Sequence, residues 1–121
     1  MRYMLLCYDD EAAWKKAGDS AKRAAIEEAV ALTHELDQQG KYILASPLQG
    51  SETATSVRVR DGKPIVTAGP FAETREVLGG FYLIDADNLD QALAAAARHP
   101  GARFGTVEVR PVLEIPGLPT K

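Results

Sequence analysis

Tyr8 and Asp9 are the first residues of this chain whose types could do chemistry: a phenol beside a carboxylate, at the point where an apolar run ends. A carboxylate next to an apolar cavity can take a proton from a bound molecule, and the phenol can orient that molecule. Asp9 with Asp10 can equally cap the turn that follows. The second group lies in Gly69-Pro70-Phe71-Ala72-Glu73-Thr74-Arg75-Glu76. Gly69 and Pro70 set a rigid turn, which either places the next strand or brings backbone close to a ligand. Phe71 can line an apolar pocket or contact a partner. Glu73, Arg75 and Glu76 can supply acid–base or anion-binding groups, although solvated loop charges read the same way. Arg58 and Arg60 alternate onto one face of a strand and could flank an anionic ligand there.

Other chemistries find no support. His34 and His99 stand far apart, with no carboxylate or Cys at metal-ligand spacing, so no metal is expected. His34 reads as an exposed helix residue and His99 as a cation at a helix C-terminus. Gly79-Gly80 precede a strand rather than a helix, so they are no phosphate-binding loop. No cofactor is expected. Cys7 is the sole cysteine, which excludes an internal disulfide and reads as buried filler. The net charge is −3, and Lys15, Lys16, Lys22 and Arg23 are diluted by Asp19 and Glu27, so no nucleic-acid partner is expected. The N-terminus lacks a signal-peptide layout and no apolar run reaches membrane-spanning length. These features predict a cytoplasmic protein with no membrane partner. A chain of 121 residues, 45% hydrophobic and 26% charged, suits one globular domain over residues 1–121.

Residues 2 to 8 are short, apolar and aromatic, which predicts a strand. Tyr3, Leu5 and Cys7 take one face; Met4, Leu6 and Tyr8 take the other. Glu11 to Ala17 suggest a helical turn, broken at Gly18. A long helix is predicted from Ser20 to Gln39, with Asp19 or Ser20 as N-cap and Gly40 as the stop. Its apolar stripe is Ala25, Ile26, Ala29, Val30, Leu32, Thr33 and Leu36. Tyr42 to Ala45 is a second strand. Residues 55 to 60 and 64 to 67 flank Asp61-Gly62, a strong hairpin signal. Phe81 to Ile84 is a strand apolar on both faces. Asn88 and Gln91 match capping-box spacing before a helix that ends at His99-Pro100-Gly101. Thr106 to Arg110 is the last strand, and residues 113–121 form a Pro-rich tail.

Without the hairpin insert the order is βαββαβ, which predicts an α+β, ferredoxin-like fold. Its helices would cover one face of the sheet. The strands that are apolar on both faces would leave the other face bare, and soluble monomers rarely show such a patch. A second copy, giving a homodimer and a dimeric α+β barrel, is the expected cover. The hairpin folding over that face is the alternative.

The run Thr67 to Glu76, followed by Leu78-Gly79-Gly80-Phe81-Tyr82-Leu83-Ile84, resembles the YCII-related family in its DGPF branch. Tyr3-Met4-Leu5-Leu6, Tyr8, Asp9, Glu11, Thr53 to Arg58, Leu89 to Ala92 and Val107 to Val112 fit the same resemblance. It implies a ferredoxin-like dimeric barrel in a bacterial cytoplasmic protein. It also implies a link to sigma factors of the extracytoplasmic-function type. More distant relatives carry an Asp-His acid/base pair, and one eliminates HCl from a chlorinated aromatic. Asp9 matches that Asp. The histidine would fall near Ala29, and His34 lies about 140° round the helix from it. Ala68 stands where the branch carries its name-giving Asp. Two functions follow. One is a small-molecule-binding or regulatory domain acting with a sigma factor, which the missing histidine and Ala68 favour. The other is a lyase or isomerase acting on a small aromatic or carbonyl substrate in a sheet-face cavity. There Asp9 would be the base, Tyr8, Arg58, Phe71, Glu73 and Arg75 the pocket, and Gly69, Pro70, Gly79 and Gly80 its structural turns.

Overall fold

The computed structural model describes residues 1–119; the last two residues of the expected tail lie outside them. β1 (Arg2–Asp9) ends at Asp10, whose carboxylate accepts from the Ala13 N–H at 3.1 Å and caps α1 (Glu11–Ala17). After Gly18 comes the long α2 (Asp19–Gln38), then β2 (Tyr42–Pro47) and a 3-10 turn at Ser51–Thr53. The Glu11 carboxylate accepts from both the N–H and the hydroxyl of Ser51, fastening that turn to the start of α1.

β3 (Thr55–Arg60) and β4 (Lys63–Ala68) follow as the hairpin. Asp61 and Gly62 take φ of 52° and 74° at its tip, the left-handed pair that a two-residue hairpin turn requires. β5 (Val77–Asp85) leads to α3 (Leu89–Arg98), α4 (Gly101–Phe104) and β6 (Thr106–Pro111). The Asn88 side chain accepts from Gln91 N–H at 2.9 Å, while Gln91 Oε1 accepts from Asp87 N–H and from Lys41 Nζ, each at 2.9 Å. Asn88 thus caps α3, and Gln91 holds the helix to the loop before β2.

The main sheet has the order β2-β5-β1-β6, with every neighbouring pair antiparallel. The two strands apolar on both faces, β1 and β5, form its inner pair. On one face Tyr3, Leu5, Cys7, Tyr82 and Ile84 pack against Leu32 and Leu36 of α2 and Ala92 and Ala96 of α3. Leu5 and Ile84 are fully buried, each worth about 1.5–3 kcal/mol.

The dimeric α+β barrel of ferredoxin-like type, and the homodimer expected with it, are corrected here. The strands make two separate open sheets, β2-β5-β1-β6 and β3-β4, and neither closes into a barrel. The outward face of the main sheet carries Met4, Leu6, Tyr8, Leu44, Leu78, Phe81 and Leu83, of which Leu44 is 51% and Leu78 40% exposed. Met4, Leu6, Phe81 and Leu83 pair across the strands and shield one another to half-burial. Glu108, Arg110 and Ser46 stand on the same face at its edges. The hairpin does not cover this face either: apart from half-buried Ser56, every residue of β3 and β4 is exposed.

Candidate functional site

The apolar stripe of α2 is only partly used. Leu32 and Leu36 are buried, whereas Ile26 is 58% and Val30 48% exposed. The helix packs down over its C-terminal half and stands off the sheet over its N-terminal half. The gap is a cavity of about 900 Å³, walled by Ile26, Ala29 and Val30 on one side and by Cys7, Gly80 and Tyr82 on the other. The Tyr82 hydroxyl spans it, donating to Ala29 O at 3.0 Å. The cavity therefore lies on the helical side of the sheet, not on the open face.

Asp9 lines the end of this cavity nearest α1. The pairing register shifts between Cys7 and Tyr8: Cys7 faces Gly80, Tyr8 faces Leu78, and Gly79 is the extra residue. A side chain on Gly79 would collide with Asp9 Oδ2. A Cβ on Gly101 would lie 3.7 Å from Asp9 Oδ1 and 2.8 Å from His99 Nδ1. Gly79 thus leaves open the niche that Asp9 occupies, and Gly101 makes room for His99 beside it. Burial raises the Asp9 carboxyl above its usual range, with the charges of Glu11 and Glu76 adding to the rise and the Trp14 indole N–H opposing it. Trp14 in turn packs on Phe104 at 4.9 Å between ring centroids, joining α1 to α4 beside the site.

His99 sits where α3 gives way to α4 and packs edge-on against Tyr82, 5.2 Å between ring centroids. Its Nδ1 accepts from Gly101 N–H at 2.9 Å, and its Nε2 lies 4.0 Å from Cys7 Sγ. Burial lowers the His99 pKa, while Glu28 and Arg103 act on it in opposite senses. Burial therefore disfavours the cation expected at this helix end. Burial also pushes the Cys7 thiol up to about 12, with the Asp9 charge adding to the effect, so Cys7 is a thiol and not a nucleophile.

The description of a YCII-related domain fits residues 1–116. The chain belongs to the YCII-related family. An uncharacterised protein of Rhizobium meliloti (strain 1021) is 38% identical over 117 residues, which is 93% of this chain and 92% of that one.

The residues singled out from the sequence of this YCII-related chain fall in three places. Asp9, Gly79 and Gly80 meet at the large cavity. Tyr8 is on the opposite face of β1, so its phenol points away from Asp9. Pro70, Glu73 and Arg75 line a smaller depression of about 440 Å³ with Asp10 and Glu52. There the Arg75 guanidinium pairs with Asp10 at 3.1 Å while remaining 89% exposed. Gly69 accepts the Ser56 hydroxyl at the hairpin base, Arg58 is on the hairpin itself, and Phe71 is 79% exposed.

Sequence reasoning passed over Trp14, read Gly101 only as part of a helix end, and gave His99 no place in the site. A topological signal did exist for His99. β6 runs antiparallel to β1 with Thr106 opposite Tyr8, so residues just before β6 must lie near the end of β1, where Asp9 is. Among the described residues no three His, Cys, Asp or Glu side chains group as a metal site, and no helix is long and apolar enough to cross a membrane.

Proposed function

We propose that this protein binds a small, mainly apolar molecule between α2 and the main sheet, and that Asp9 moves a proton on it as a lyase or isomerase does. The observation that carries this reading is that Asp9 and His99 line one cavity, with Gly79 making room for the carboxylate and Gly101 for the ring. A carboxyl raised above its usual range by burial holds a proton more readily than a solvated one, as an acid–base group must. Tyr82, Ile26 and Val30 supply apolar and aromatic walls for a ring or short chain.

The test is an NMR screen of small aromatic and carbonyl fragments, followed by turnover assays on those that bind. Binders should shift resonances of Tyr82 and Ala29, and Asp9→Asn should keep binding while abolishing any turnover. Fragments that gather elsewhere, or turnover unchanged in Asp9→Asn, would remove this reading.

A second reading rests on another observation. The turn Gly69-Pro70-Phe71 that marks the DGPF branch leaves Phe71 exposed near an exposed hairpin. That surface suits a regulatory domain docking on an extracytoplasmic-function sigma factor. Failure of a sigma factor to co-purify with the protein, with no change in transcription on adding it, counts against this role.

A further inference from the structure

His99 has one proton to place, and the structure fixes where it goes. A peptide N–H can only donate, so the 2.9 Å bond from Gly101 leaves His99 Nδ1 without a proton and puts the ring proton on Nε2. A doubly protonated ring would set two N–H groups against each other at Gly101. Among the described residues the Nε2–H finds only Cys7 Sγ, at 4.0 Å, the outer limit of a sulfur contact. Cys7 is itself part of the cavity wall, as are Asp9 and Tyr82. The site therefore presents a carboxylate that accepts and an imidazole N–H that lacks a strong acceptor.

We propose that His99 is a hydrogen-bond donor to an oxygen of the bound molecule, and that the cavity accordingly takes carbonyl compounds with a removable proton on the neighbouring carbon. This rests on the reading that Asp9 moves a proton in the same cavity. Asp9 takes the proton from that carbon, and the C–H electron pair becomes a carbon–carbon double bond. The carbonyl π pair moves onto oxygen, and the enolate oxygen is held by the His99 Nε2–H. Asp9 then returns the proton, to the same carbon or to one conjugated with it, and the electron pairs flow back. No oxidant, metal or second substrate is required. His99 cannot serve as the base in this arrangement, since Nδ1 is occupied by Gly101 and Nε2 already carries its proton. For the same reason it does not deprotonate Cys7. Its role differs from that of a histidine near Ala29, which would come from α2.

The experiment compares acetophenone with ethylbenzene, which has the same ring and no oxygen. Nitrogen-15 NMR of the full chain reports the His99 tautomer with and without each probe, and deuterium uptake into the acetophenone methyl group in heavy water reports proton removal. The Nε2–H tautomer should be present in the free protein, and acetophenone should shift its proton while ethylbenzene does not. Replacing His99 by Phe should weaken acetophenone binding about tenfold, one hydrogen bond's worth, and leave ethylbenzene within about twofold. His99→Gln, which keeps an N–H donor, should restore part of the loss. The Nδ1–H tautomer, or acetophenone and ethylbenzene binding alike with His99 unmoved, overturns the donor role while leaving Asp9 and the cavity intact. Binding of neither probe overturns both readings together. The tautomer measurement needs no variant, so a poorly folded His99→Phe does not protect the idea.

Discussion

Asp9 and His99 are both partly desolvated, and desolvation drives their pKa values in opposite directions. Each is thereby biased toward its neutral form, with opposite consequences for stability. A carboxyl whose folded pKa is raised favours the native state most below its unfolded value, near 3.9, and that contribution fades as pH rises through the folded value. A histidine whose folded pKa is lowered favours the native state fully above about 6.5, and the contribution fades as pH falls toward the folded value. Glu28 and Arg103, which also act on His99, oppose one another and leave burial in control. Urea midpoints measured from pH 4 to 8 should therefore show His99→Phe flattening the loss of stability just below about pH 6.5. Asp9→Asn should gain stability at neutral pH. Slopes identical to the parent protein would contradict the burial of both groups. A second expectation concerns Cys7, buried with its pKa near 12. Iodoacetamide at pH 8 should label it at a rate governed by unfolding, and rapidly in denaturant; fast native labelling would contradict its placement. Of these residues Asp9 was legible in the sequence, because a carboxylate ending a central strand stands beside the core. His99 was not, because its charge state depends on neighbours that only the folded chain assembles.

α2 makes the site possible by its position as much as by its residues. Leu32 and Leu36 hold one half of it to the sheet, and an ion pair from Glu35 to Arg98 of α3 lies beside them. Its N-terminal half is tied more loosely, by the Tyr82 hydroxyl at Ala29 and by the Arg103 pair with Glu28 at 2.6 Å. Leu36→Ala should cost about 2–5 kcal/mol, as core truncations do. Ile26→Ala, at a position 58% exposed, should stay within about 0.5 kcal/mol while enlarging the cavity. Chemical denaturation measures both, and equal losses would mean that α2 packs along its whole length. The spacing of apolar residues told which face of α2 turns inward. It did not tell how far the helix stands from the sheet, since Ile26 and Leu36 belong to the same stripe. That distance is set by the bulk beneath, where Gly80 and Ala45 leave space and Ile84 and Tyr3 fill it.

At the scale of the whole molecule, the inner strands and the hairpin were legible from their two-faced apolar runs and from Asp61-Gly62. The closure of the sheet was not. Apolar alternation in β1 and β5 suggested a face in need of a cover, yet what each side chain exposes depends on strand register. Leu6 beside Phe81 and Glu108 is half-buried without any second layer. The hairpin shows the same limit from the other side. Its valines at 57, 59 and 66 are 61–64% exposed, so they add little to the core despite a strand-like pattern. A short Gly-Ser insertion between Asp61 and Gly62 should therefore shift unfolding free energy by no more than about 0.5 kcal/mol. A larger loss, read from urea midpoints, would show that the hairpin supports the rest of the fold. A limb that buries so little contributes little to stability, whereas a side chain at Gly79 would displace Asp9. The tip of the hairpin can thus change without disturbing the space between α2 and the main sheet, so the outer surface of the chain and its cavity can vary independently.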